Sequence, residues 1–161
     1  LIHSMDNQDS GLCIFARSKH AQLKMTEQWN EVELNYYAIL QNPLKHKNET
    51  FIFESEEKNI KVSYNFIEAL NYFDTTCSLI SVSGLGFSSI ECRKAFAQKG
   101  NPIVADLTYG AKEFANNYLK LCCNTIKFRH PFTQKSIKIT MNPPKGFNTI
   151  NPPYKKQNGH K

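Results

Sequence analysis

The chain has 161 residues, a formal net charge of +6 and a sequence pI of about 9.0. Its 40% apolar and 12% aromatic content favours a globular chain with one self-sufficient core over a disordered one. No apolar run is long enough for a membrane helix, no basic-then-apolar leader opens the chain, and the basic balance favours a polyanionic partner without deciding for one.

The first strong element is "GLCIFAR", Gly11–Arg17, a short apolar run bounded by turn formers that predicts a buried strand. Asp6 stands just ahead of it; taken alone, it reads as a turn or cap carboxylate. Ser18 is placed to cap a helix through "KHAQLKMTEQW", with Ala21, Met25 and Trp29 recurring every four residues toward the core. Val32–Leu40 returns as an aromatic-rich strand, on which Tyr36 and Tyr37 face opposite ways. "NPLKHKNET" reads as a charged loop, and "FIFES" and "NIKVSYNFIEAL" as strands around a second loop, "EEKN". "TTCSLISVS" is a further strand that Gly84 and Gly86 are expected to interrupt. A helix through "SIECRKAFAQKG" ends at Gly100, and "NPIVADLTYGAKEF" is a loop with apolar anchors. "NTIKFRH" and "KSIKITM" are the last strands. The Pro-, Asn- and Lys-rich segment from Asn142 reads as extended. Many strands with few helices predict an α+β domain with a mixed, largely antiparallel sheet and flanking helices. The expected domain covers residues 1–147, followed by an extended basic tail over 148–161.

The five cysteines, Cys13, Cys77, Cys92, Cys122 and Cys123, form no CxxC pair. They read as buried or free thiols in a reducing compartment rather than as a zinc site. An intracellular location follows, either the cytoplasm or an organelle such as the mitochondrion. The chain begins at Leu1, as expected of a processed product or a fragment.

Four segments then carry a resemblance in order along the chain. "HSMDNQDSGL" resembles the His-Arg-Leu-Asp-x-x-Thr-Ser-Gly-Leu segment of RluA-type pseudouridine synthases, matching at His3, Asp6, Ser10, Gly11 and Leu12. "VELNYYAIL" is similar to the family's Val-Lys-Lys-x-Tyr-x-Ala strand, at Tyr36 and Ala38. "GNPIVADLTYG" resembles its Gly-His-Pro-Ile-x-Gly-Asp-x-x-Tyr-Gly loop, at Gly100, Pro102, Ile103, Asp106, Tyr109 and Gly110. "HPFTQKSIKITMNPPKGF" is similar to the terminal His-Pro segment, at His130, Pro131, Pro144 and Phe147. In the Thr-Gly-Arg-Thr-His-Gln-Ile-Arg motif this chain keeps only the last arginine, Arg93, and has Ser88 in place of the first. Ser4 likewise replaces the arginine of the opening segment. The sheet strands that usually precede the aspartate in the family are absent from this sequence.

The resemblance implies isomerisation of uridine to pseudouridine in structured RNA, ribosomal or transfer, with a ribosomal particle as a further partner. It implies Asp6 as the reacting carboxylate, Tyr36 packing on the base, and no metal or organic cofactor. The target base must be swung out of its stack into a pocket. RNA contacts are expected from His3, Arg93, Lys45, Lys47, Lys155 and Lys156. The resemblance assigns the cation that keeps Asp6 ionised to the first arginine of the motif, where Ser88 stands. Burial without a cation raises a carboxylate pKa, and Asp9 close by would oppose ionisation further, unless His3 or Arg93 supplies the missing charge, which the sequence does not place near Asp6. A weak or silent site is the consequence expected. An inactive RNA-binding or ribonucleoprotein structural protein with the same fold is therefore the rival reading, and a protein-interaction domain the third.

Overall fold

The computed structural model describes residues 1–3, 6–56, 58–72, 75–112 and 118–149. Its strands are β1 (Ser10–Gly11), β2 (Glu33–Leu40), β3 (Asn48–Glu54), β4 (Asn59–Tyr72), β5 (Thr75–Leu85), β6 (Leu121–Arg129) and β7 (Ser136–Thr140). Helix α1 (Lys19–Glu27) follows β1, and α2 (Ser89–Gln98) follows β5. The strands form one sheet in the order β1-β6-β2-β5-β4-β3, with β7 also paired to β6. Only β1 and β6 run parallel among the described pairs; the rest are antiparallel. This is the α+β architecture expected, with a mixed and largely antiparallel sheet.

Alternation along β2 sets the two sides of the sheet. Leu34, Tyr36, Ala38 and Leu40 belong to the larger core, together with Cys92, Ala95 and Phe96 of α2. Ile39 joins Cys77, Leu79, Val104, Cys122 and Phe147 in a smaller cluster, with Tyr37 packed against it. Ser18 caps α1 as predicted, accepting from the Ala21 N–H, and Met25 is buried.

The structure departs from the predicted elements at several places. The strand expected over 11–17 pairs only at Ser10–Gly11. Gly11 has φ +106°, and a Cβ there would stand 2.2 Å from the Cys123 carbonyl oxygen. The backbone is thus pressed against β6 and then leaves the ladder, with Leu12 and Ile14 still packed on the core. β5 is not interrupted at Gly84. The missing side chain there makes room for Phe87, whose Cβ would lie 2.8 Å from an added one. β3 takes up Asn48–Thr50 from the predicted loop, and β6 begins three residues early, at Leu121. The segment after Asn142 is anchored rather than extended: Phe147 is buried, and the enclosed Lys120 ammonium donates to the Thr149 carbonyl at 2.6 Å. Residues 150–161 of the expected tail, with Lys155 and Lys156, lie outside the described residues. No helix among the described residues is long and apolar enough to cross a membrane.

Candidate active site

Construction of the site starts at the head of α2. Ser88 accepts from the Glu91 N–H while the Glu91 carboxylate accepts from the Ser88 N–H, a reciprocal capping box. Ser88 therefore starts the helix. From this start α2 turns Arg93 inward, where the whole residue is only 1% exposed.

A buried guanidinium is tolerated only when it is paired and hydrogen-bonded. Asp106, itself fully buried, supplies the pairing side-on: Arg93 Nε donates to Oδ2 at 2.9 Å and Nη2 to Oδ1 at 2.8 Å. The Tyr109 ring stands 4.9 Å from the guanidinium carbon. Asp106 is held by its own loop. Its N–H donates to the Ile103 carbonyl, its carbonyl accepts from Tyr109 and Ala111, and Ile103 bridges to Leu40 of β2. The remaining terminal nitrogen, Nη1, donates to Asp6 Oδ2 at 2.9 Å.

Asp6 opens a tight turn. The Asp9 N–H donates to its carbonyl at 3.1 Å, and its own N–H donates to Asp9 Oδ2 at 2.7 Å. Asp9 Oδ2 also accepts from the Ser89 hydroxyl, tying the turn to the start of α2. The far end of the turn is fixed to β6, where the Ser10 hydroxyl donates to the Leu121 carbonyl at 2.7 Å. The Asp6 side chain keeps 32% exposure and opens to solvent. The hydrogen bond from Arg93 holds its carboxyl below the ordinary value of 3.8, helped by the Gln8 N–H and opposed by partial desolvation. Asp6 is thus an ionised, accessible carboxylate with one oxygen clamped and the other lightly held, since the Gln8 N–H reaches Oδ1 only at 3.3 Å. Such a group can attack an electrophilic carbon or take a proton.

Two expectations are corrected here. Arg93, expected among the RNA contacts, is enclosed with its side chain at 0% exposure, so it meets Asp6 and Asp106 rather than a phosphate. The cation expected to be missing at Ser88 is present, and it comes from Arg93.

Tyr36 lies behind the turn and is 2% exposed. Its hydroxyl donates to the Phe87 carbonyl at 2.7 Å, its ring meets Phe87 edge-on, and burial pushes the phenol well above its ordinary range. With His3, Asp9, Ser10 and Ser89 it lines a cavity of about 10 Å³. That is room for about one water and not for a pyrimidine. Tyr37 faces the other side of the sheet. His3 stacks on Trp29, with ring centroids 4.9 Å apart and planes at 16°. Lys45 and Lys47 are exposed just before β3, the strand at the opposite end of the sheet from β1, and the fold does not bring them to Asp6. Sequence reasoning gave Asp106 and Tyr109 no part in the site beyond a motif match, and it read Trp29 as a core residue. The signal for the first two was their place in the Gly-x-Pro loop that follows α2.

No family model matches the chain. A curated relative, ribosomal large subunit pseudouridine synthase C of Buchnera aphidicola, is 27% identical over 162 residues. The match covers 87% of this chain and 51% of that protein, so the chain spans about half the length of the relative. Among solved structures, human RNA pseudouridylate synthase domain containing 1 superposes with a TM-score of 0.74 at 19% identity, over 89% of this chain and 68% of that one. Human RNA pseudouridylate synthase domain containing 4 gives 0.65 at 13% identity, over 96% and 77%. The class defined by this sheet and its carboxylate turn is the pseudouridine synthase fold. The curated sequence match and the ordered motifs make the chain similar to RluA-type pseudouridine synthases, and the two solved structures share its fold.

Proposed function

We propose that this chain isomerises uridine to pseudouridine in a structured ribosomal or transfer RNA, with Asp6 as the reacting carboxylate. The observation that carries the proposal is the Asp6–Arg93–Asp106 chain of ion pairs, which holds an ionised carboxylate at a solvent-facing turn. The reaction breaks the bond from N1 of uracil to C1′ of the ribose and joins C1′ to C5. The proton leaving C5 is balanced by the one gained at N1. Asp6 either attacks C1′ or removes a proton from the sugar. The step is redox-neutral and consumes no second substrate. The cavity beside Tyr36 is too small for uracil, so a swung-out base entering there displaces its wall at His3 and Asp9. The net charge of +6 supports an RNA partner, and the five thiols, none of them in a disulfide, support a reducing intracellular compartment, cytoplasmic or mitochondrial.

The test maps pseudouridine in RNA from cells carrying the parent gene, Asp6→Ala or a deletion. One site is expected to vanish in both altered strains. A map unchanged by either, with RNA still co-purifying, makes the protein an inactive RNA binder instead.

A further inference from the structure

An open groove of about 610 Å³ lies beside the site, between Trp29, the β3–β4 turn and the first turns of α2. Its size is within the range of sites that take a small molecule, about 300–1,000 Å³. His3 is shared between this groove and the small cavity that holds Asp9 and Tyr36. Whatever occupies the groove therefore touches the wall that a base entering that cavity displaces.

Two features give the groove its chemistry. The first is aromatic: Trp29, the sole tryptophan of the chain, is half-buried at the groove with the His3 ring stacked on it. The second is a pair of cations held differently. Lys58 is fixed, donating to Asn30 Oδ1 at 3.1 Å and the Gly86 carbonyl at 2.9 Å. Among the described residues Lys94 pairs with Glu56, at 3.8 Å, and that carboxylate is 92% exposed. A long exposed pair of this kind is weak and easily exchanged for a phosphate. Aromatic faces combined with an exchangeable cation suit a single-stranded nucleotide, because every base has a π-face and every linkage a charge.

We infer that the groove holds an unpaired nucleotide neighbouring the target uridine, its base stacked on the Trp29–His3 pair and its phosphate taking Lys94 from Glu56. The inference rests on the RNA reading above and concerns binding, not the reacting carboxylate.

The probes are a labelled uridine octamer and an abasic ribose-phosphate chain of equal length. Stacking on Trp29 quenches its emission, so the octamer is expected to quench and the abasic chain is not. Trp29→Leu should weaken octamer binding by between about fivefold and a hundredfold, while Trp29→Phe keeps most of it. Lys94→Gln should retain the quenching and lower the slope of log affinity against log salt by about 0.7, one single-strand phosphate. Circular dichroism of each variant separates lost binding from lost fold, and the parent's own quenching needs no variant. Binding of the octamer with unchanged tryptophan emission, and with Trp29→Leu and Lys94→Gln at parental affinity and salt slope, overturns the assignment. So does equal quenching by the abasic chain, or preference of the groove for a peptide over the octamer. Octamer binding is expected to survive Asp6→Ala. A groove that behaves as stated while the pseudouridine map does not change removes the catalytic reading alone; a changed map with a silent tryptophan removes the groove alone.

Discussion

Asp6 and Asp106 share one arginine, yet they should fail in opposite ways when altered. Asp106 is fully buried and takes two of the Arg93 donors, whereas Asp6 is one-third exposed and takes one. Replacing Asp106 with Asn removes the charge but not the volume, and it aims an amide where a carboxylate accepted. Arg93 is then a buried cation with a single exposed partner. Breaking a buried pair from one side costs about 3–5 kcal/mol, and the surviving Asp6 contact argues for the lower end. For a chain of this length about 3 kcal/mol corresponds to a fall in melting temperature of roughly 6–12 °C. Asp6→Asn leaves the Arg93–Asp106 pair whole and should melt close to the parent while abolishing product. Thermal melts of both variants at neutral pH, followed by near-ultraviolet circular dichroism and paired with the pseudouridine assay, check the asymmetry. An Asp106→Asn protein melting within about 2 °C of the parent would refute the reasoning, as would an Asp6 variant that loses as much.

Three further outcomes follow from the same geometry. The Asp6 carboxyl is depressed below 3.8, first by the Arg93 hydrogen bond, so the stability it contributes is complete above the unfolded value and lost as pH falls through the lower folded one. Carbon-detected NMR titration should place its midpoint below 3.8 in the parent and higher in Arg93→Lys, whose compact ammonium cannot serve both carboxylates in the same way; a parental midpoint above that value contradicts the pairing. Gly11→Ala meets the Cys123 carbonyl at 2.2 Å with φ at +106°, so it should cost at least about 2 kcal/mol and speed hydrogen exchange at the Leu12 amide, which donates to that carbonyl. Ser88→Ala removes half of the capping box and should cost about 1 kcal/mol in urea melts, with Ser88→Thr recovering most of it.

Local patterning determined most of the elements, because it depends on neighbours in the chain. Ser18 before an apolar four-residue repeat, the alternation through Val32–Leu40, and Gly100 after a helical run with φ +72° each specify an element within one or two turns. The resemblance singled out Asp6, and the turn that carries it is equally local, because the Asp6–Asp9 turn and Gly11 lie within six residues of each other. Which cation faces that carboxylate is a different kind of question. Ser88 is fixed locally by its capping box with Glu91, but only the packing of α2 on the sheet sends Arg93, five residues on, inward to Asp6. A buried guanidinium has to find its carboxylates wherever the fold brings them, and here they come from 87 residues before it and 13 after it. Burial decided the rest. It closed Tyr36 behind Phe87 and left Lys45 and Lys47 at the far end of the sheet, because residue type sets what a side chain can do and only the assembled core sets what it can reach.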